Sequence, residues 1–313
     1  MNLFILIFII VIFLLCLFYT INKYISNLIN YNTVIDKDIL CTKNKYLNVG
    51  LWTNIKSNNT NAIINELKNS NVSENLDLLK AQQNMFKLFY FLGDFGNPKI
   101  KILETGAGTC SHYILYDKLG LQADVTIFEK YLNVDNKLKK IIRKNPNSNL
   151  AKIKHYKRDA NYLKCFNKYD RIICLETAFH YENRNIFFKK CYKALKKNGK
   201  LIMTDIIPYE PSKDYYTQYK INFYSKHILK IHETNRKVYY NDYIQNLKSC
   251  GFSSIKIIDV SDLTIREFYR NFKTKNVPES SLKEILKYIN NNTMVYDLVN
   301  NKPYIYPLVI CQK

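Results

Sequence analysis

Between residues 100 and 205, short apolar runs alternate with stretches of helical spacing, and no other feature restricts the fold so sharply. Runs at 100–104, 124–129, 153–156, 169–175 and 200–205 read as strands. Apolar residues recur at helical spacing over 76–92, and further helices are expected at 111–119, 134–144 and 184–197. Strands that alternate with helices form a parallel sheet with helices packed on both faces. Ligands of such sheets bind beyond the carboxyl ends of the strands. The chemistry of this chain is therefore expected just after each run.

Acids and glycines stand at those positions. The first strand passes into Leu103-Glu104-Thr105-Gly106-Ala107-Gly108-Thr109-Cys110. Glycine lets the backbone turn tightly against a ligand. A dinucleotide fingerprint needs a third glycine at position 111, where Ser111 stands, which argues against a dehydrogenase. Glu129 ends the second strand, at a distance suited to accepting hydrogen bonds from two ribose hydroxyls. Asp159-Ala160 follows the third strand, where a carboxylate can accept from an adenine amino group, and Glu176 follows the fourth. A ring of carboxylates favours a cationic cofactor and repels a pyrophosphate.

In this order the residues resemble the class I S-adenosylmethionine (SAM) dependent methyltransferases. Leu103–Cys110 is similar to their glycine-rich first motif, Ile127-Phe128-Glu129 to the acid of strand two, and Arg158-Asp159-Ala160 to the adenine-side motif. Leu195-Lys196-Lys197-Asn198-Gly199 resembles the turn into strand five, and Gly251-Phe252 the turn before strand six. Cys110 departs from the pattern, standing where the motif has its third glycine. The resemblance covers 46–313. It implies a Rossmann-like, doubly wound α/β sheet, mostly parallel with an antiparallel last strand at 306–312. It also implies SAM as cofactor, held by Glu104, Gly106, Gly108, Glu129, Asp159, Ala160 and Glu176.

Methyl transfer to an alcohol needs a base for the departing proton. His180, in Glu176-Thr177-Ala178-Phe179-His180, follows the fourth strand, and Asp205 ends the fifth. Sugar and natural-product O-methyltransferases resemble the chain here, which implies His180 as general base with Asp205 as its partner. Asn48-Val49-Gly50-Leu51-Trp52 resembles their N-terminal segment that closes over the cofactor, which places Trp52 there. Residues 209–235 are long, aromatic and basic, and are expected to form a helical lid over a small or lipophilic acceptor. The Asn/Asp-Pro-Pro-Tyr motif of base and glutamine N-methyltransferases is absent after the fourth strand. An N-methyltransferase of a lipid-headgroup precursor and an inactive SAM-binding scaffold remain the alternatives.

The net charge of +21 is spread through a chain rich in Asn, Lys, Ile and Tyr, without a nucleic-acid-binding signature. It is read as solvated surface. The eight cysteines form no CxxC pair and no zinc spacing, so no metal is expected and a reducing compartment fits. Residues 3–18 are uninterruptedly apolar, and 19–21 extend the run. At about 1.5 Å per residue this just crosses a bilayer core of about 27–30 Å. Residues 1–22 are therefore expected to be a single-pass transmembrane anchor and 23–45 a linker. Lysines from Lys23 onward place the catalytic domain in the cytosol.

Overall fold

The computed structural model describes residues 48–130, 134–274 and 302–313. The expected anchor and linker, residues 1–45, lie outside the described residues. Among the described residues, no helix is long and apolar enough to cross a membrane.

Seven strands form the main sheet: β1 (Lys101–Thr105), β2 (Asp124–Glu129), β3 (Lys154–Lys157), β4 (Tyr169–Leu175), β5 (Leu195–Thr204), β7 (Ser254–Asp259) and β9 (Pro307–Gln312). Their order is β3-β2-β1-β4-β5-β9-β7. β1 to β5 pair in parallel, and β9 runs antiparallel between β5 and β7. A small antiparallel ladder, β6 (Ile207–Pro208) with β8 (Tyr304–Ile305), sits apart from it.

The fifth strand differs from expectation. The preceding helix, Arg184–Ala194, stops early, and β5 begins at Leu195. Leu195 pairs with Tyr169, and the register then shifts before Arg171 meets Lys200. The Lys196–Gly199 turn therefore sits in an irregular extension of the strand, with Asn198 left-handed at φ +63°.

Strand side chains alternate between two cores, one on each face of the sheet. Ile102, Ile127, Ile173 and Ile202 pack on one face with α1 (Thr60–Asn69) and α2 (Leu78–Gly93). Leu103, Phe128, Ile172 and Met203 pack on the other, with α5 (Arg184–Ala194) and α7 (Tyr240–Ser249). The helices α1, α2 and α5 each start where a side chain satisfies the first amides. Asp77 accepts from Lys80 N at 2.7 Å to open α2, and Asn183 accepts from Ile186 N at 3.0 Å to open α5. Burial on both faces is what makes the centres of β1, β2, β4 and β9 apolar.

The strand order reverses between β1 and β4. Chain leaving β1 moves toward β2 and β3, and chain leaving β4 moves toward β5. The turns after β1 and β4 thus flank one crevice. The 209–235 insertion lies after β6 and contains α6 (Tyr215–Phe223), a wide turn at Tyr224–Ile228 and a short 3-10 turn at Glu233–Asn235.

Candidate active site

The turn after β1 is built from left-handed residues: Gly106 at φ +72°, Gly108 at +56° and Cys110 at +60°. Gly106 N donates to the Phe128 carbonyl at 2.9 Å. A Cβ added at Gly106 would lie 2.6 Å from Thr177 Cβ, so the turns after β1 and β4 approach through the missing side chain. Cys110 adopts a conformation that costs an L side chain about 1–2 kcal/mol relative to glycine. Its thiol is buried, and burial, with Glu104 and Glu129 nearby, raises its pKa well above the usual range.

Glu104 was expected at the mouth of the crevice, and instead lies beneath the turn. It is 3% exposed; His112 Nε2 lies 3.1 Å from Oε1, and the Tyr113 hydroxyl donates to Oε2. The acid ties β1 to the helix that follows the turn. Glu129, half-buried at the end of β2, accepts from Gly108 N at 3.0 Å. Asp159 Oδ1 caps the 160–162 turn by accepting from Asn161 N at 2.8 Å, and the Lys130 ammonium lies 3.7 Å from Oδ2. Ala160 is buried. Asn161 is 6% exposed, and neither atom of its side-chain amide has a hydrogen-bond partner.

Glu176 joins three segments. It follows β4 in a left-handed conformation at φ +52°. Its oxygens accept from Val49 N at 3.1 and 3.2 Å, and Oε1 accepts from the Tyr306 hydroxyl at 2.5 Å. Burial pushes the carboxyl up to about 7, against the lowering effect of these donors. The 48–53 segment is therefore fastened to the crevice by Val49. Trp52, expected over the cofactor, is a core anchor: it is 2% exposed and its indole N–H donates to the Val49 carbonyl at 3.1 Å. Gly50 is needed beside it, because a Cβ there would meet Ala81 Cβ at 2.8 Å.

His180 and Asp205 do not pair. The Asp205 carboxylate is wholly buried and held by Arg184, with Nε 3.0 Å from Oδ2 and Nη2 3.1 Å from Oδ1. His180 Nδ1 instead lies 3.0 Å from the Lys230 carbonyl, in the returning limb of the insertion. A carbonyl only accepts, so Nδ1 carries the proton and the neutral ring has its lone pair on Nε2. Burial pushes the ring pKa down to about 4; the Lys230 contact opposes this and the Arg184 charge adds to it.

Residues 103–203 match the family model described as a methyltransferase domain. Residues 103–203 thus form a methyltransferase domain. A segment of 49 residues is 47% identical to erythromycin 3''-O-methyltransferase of Saccharopolyspora erythraea, covering 15% of this chain and 16% of that protein. The match thus spans about a sixth of the relative's length. Among solved structures, geranyl diphosphate C-methyltransferase of Streptomyces coelicolor A3(2) is similar, with TM-score 0.58 and 11% identity over 89% of this chain and 97% of that one. A putative sarcosine dimethylglycine methyltransferase of Galdieria sulphuraria has TM-score 0.56 and 13% identity, covering 85% and 93%. The cyclase SpnF has TM-score 0.55 and 13% identity, covering 85% and 88%. At these identities the likeness is one of fold.

The methyltransferase domain suits its cofactor chemically. Glu129 offers acceptors for ribose hydroxyls at the strand-two end. The buried, unpartnered Asn161 amide beside Asp159 can both donate and accept, as an adenine edge requires. Sequence reasoning missed Val49, Tyr306 and Arg184. Val49 lies in the segment expected to close over the cofactor and Tyr306 in the expected last strand, but their ties to Glu176, and that of Arg184 to Asp205, left no local signal.

Proposed function

We propose that this methyltransferase domain transfers the SAM methyl group to the hydroxyl of a small or lipophilic acceptor, with His180 as general base. The observation that carries the reading is the 3.0 Å contact of His180 Nδ1 with the Lys230 carbonyl, an acceptor that draws the ring proton to Nδ1 and leaves the lone pair on Nε2. SAM supplies a methyl carbon made electrophilic by its sulfonium. Glu129, Asp159 and Asn161 hold the ribose and adenine, and the left-handed turn at Gly106–Cys110 receives the methionine portion. The acceptor enters between the 177–181 turn and the insertion.

His180 is a weak base, since its proton affinity is low. It would act late: as the acceptor oxygen bonds to the methyl carbon and the carbon–sulfur bond breaks to release S-adenosylhomocysteine, the hydroxyl becomes strongly acidic, and Nε2 would take the proton. Such a base contributes about 10²–10⁴-fold, less than the about 7–11 kcal/mol available from alignment alone. An amine acceptor is the second reading, favoured by that same low proton affinity, since an amine needs only to arrive neutral. The test is turnover against pH with the identified acceptor. A His180 base predicts a limb near pH 4. An amine acceptor predicts loss of rate as pH falls through the amine's own pKa.

The apolar run at 3–18 and the lysines that follow support attachment to a membrane, with the domain on the cytosolic side. That placement supports an acceptor of lipophilic character.

A further inference from the structure

Arg184 is 1% exposed, the first residue of α5, and it touches three elements at once. Its guanidinium forks onto Asp205 at the end of β5 and donates to the Ile206 carbonyl at 2.6 Å. The Nε–Oδ2 approach is an ion pair whose angle falls short of a hydrogen bond. Nη1 donates to the Asn235 carbonyl at 3.3 Å, and the Arg184 backbone N–H donates to Asn235 Oδ1 at 3.2 Å. Asn235, 2% exposed, closes the returning limb of the insertion. Its Nδ2 reaches back to the Tyr181 carbonyl at 2.7 Å. His232 N donates to the Phe179 carbonyl at 2.9 Å. The two residues flanking His180 are thus held by the limb that supplies the Lys230 carbonyl.

We infer that Arg184 is a positioning residue: through Asp205 and Asn235 it fixes the turn bearing His180 against the returning limb of the insertion, so that Nε2 faces the crevice. A buried cation suits the task because its five donors radiate in one plane and each can fix a different segment. Asp205 is then the counter-ion of this bolt, which explains why an acid at the end of β5 is withdrawn from the crevice. Burial raises its pKa, and Arg184 opposes that. The charge that acts on His180 is Arg184, from α5, with Asp205 as its counter-ion. The Arg184 charge also lowers the proton affinity of the ring.

The inference rests on His180 as the base, but its test does not. The imidazole of His180 is titrated by NMR in the full chain, without acceptor, in four proteins: wild type, Arg184→Met, Arg184→Met/Asp205→Asn and Asn235→Ala. Removing the cation is expected to raise the midpoint by about one unit. Asn235→Ala leaves the cation in place but is expected to lose the single Nδ1–H tautomer. With the acceptor, Asn235→Ala is expected to lower kcat about tenfold or more while the SAM KM holds within about twofold. If Arg184→Met does not fold, Asn235→Ala decides alone. A His180 midpoint and tautomer unchanged in every folded variant overturns the inference. An unchanged turnover in His180→Ala instead overturns the base, and leaves the NMR result to stand by itself.

Discussion

The hydroxyl of Tyr306 donates to Glu176 Oε1 at 2.5 Å, joining residues 130 positions apart. It also reaches Thr204 Oγ1 at 3.2 Å, so one phenol ties the ends of β4 and β5 to the start of β9. Tyr306→Phe should lower stability by about 1–3 kcal/mol, the range for a hydrogen bond to a carboxyl group in a buried setting. Thermal unfolding at pH 8 measures it. No loss of stability would show that the phenol does not hold the carboxyl.

Glu176 and His180 have opposite pH linkage. The folded-state pKa of Glu176 is raised to about 7, so its contribution to stability is full below the unfolded value of 4.5 and is lost as pH rises through 7. That of His180 is lowered to about 4, so its contribution is full above 6.5 and is lost as pH falls through 4. Between about pH 4.5 and 6.5 the two slopes oppose each other. Relative to wild type, Glu176→Gln should gain stability with rising pH across that window, and His180→Asn should lose it. Each slope is at most roughly 1 kcal/mol per pH unit. Unfolding midpoints recorded across the window check both signs.

At Cys110 two effects nearly cancel. Glycine would remove about 1–2 kcal/mol of left-handed strain, but it would give up the buried thiol and gain about 0.4–1 kcal/mol of unfolded-chain entropy. Cys110→Gly should therefore lie within about 1 kcal/mol of wild type. Cys110→Val, β-branched at φ +60°, should be far less stable and should not bind S-adenosylhomocysteine. Calorimetry on both variants tests this, and equal behaviour of Gly and Val would refute the strain argument.

Gly106→Ala should abolish binding of S-adenosylhomocysteine, because the new Cβ meets Thr177. Thr177→Gly alone should bind. The double variant should recover part of the affinity but not all, since φ +72° still penalises alanine. A double variant no better than Gly106→Ala would place the fault in the backbone conformation rather than in the contact.

Deleting residues 1–22 should release the protein from membranes into the soluble fraction with its SAM affinity intact. A truncated chain that still sediments with membranes would sink the anchor reading.

Sequence patterning located β2 and β4 to the residue, because each has a buried apolar centre bounded by polar turns. It located the β5 start poorly, since Leu195-Lys196-Lys197 carries both helical spacing and strand pairing until Tyr169 claims Leu195. The site was half legible. Glu129 and Asp159 stand at the strand ends where the sequence pattern puts them. The ties from Glu176 to Val49, from Glu176 to Tyr306 and from Arg184 to Asp205 join distant residues and leave no local period. Asp205 and His180 both stand at the carboxyl edge of the sheet, as expected. What chose their partners was burial: a carboxylate with no exposure needs a cation, and Arg184 was within reach where a neutral imidazole was not.

The position of β9 has a consequence for biosynthesis. A nascent chain can complete β1 to β5 and even β7 while β5 still presents an unpaired edge, for its neighbour is the last strand of the sheet to be translated. Until residues 307–312 insert, β7 has no place in the sheet, and Tyr306 cannot reach Glu176. The crevice is therefore completed only once residues 307–312 have been made and have inserted. A ribosome stalled before those codons should display a folded amino-terminal half without a working site.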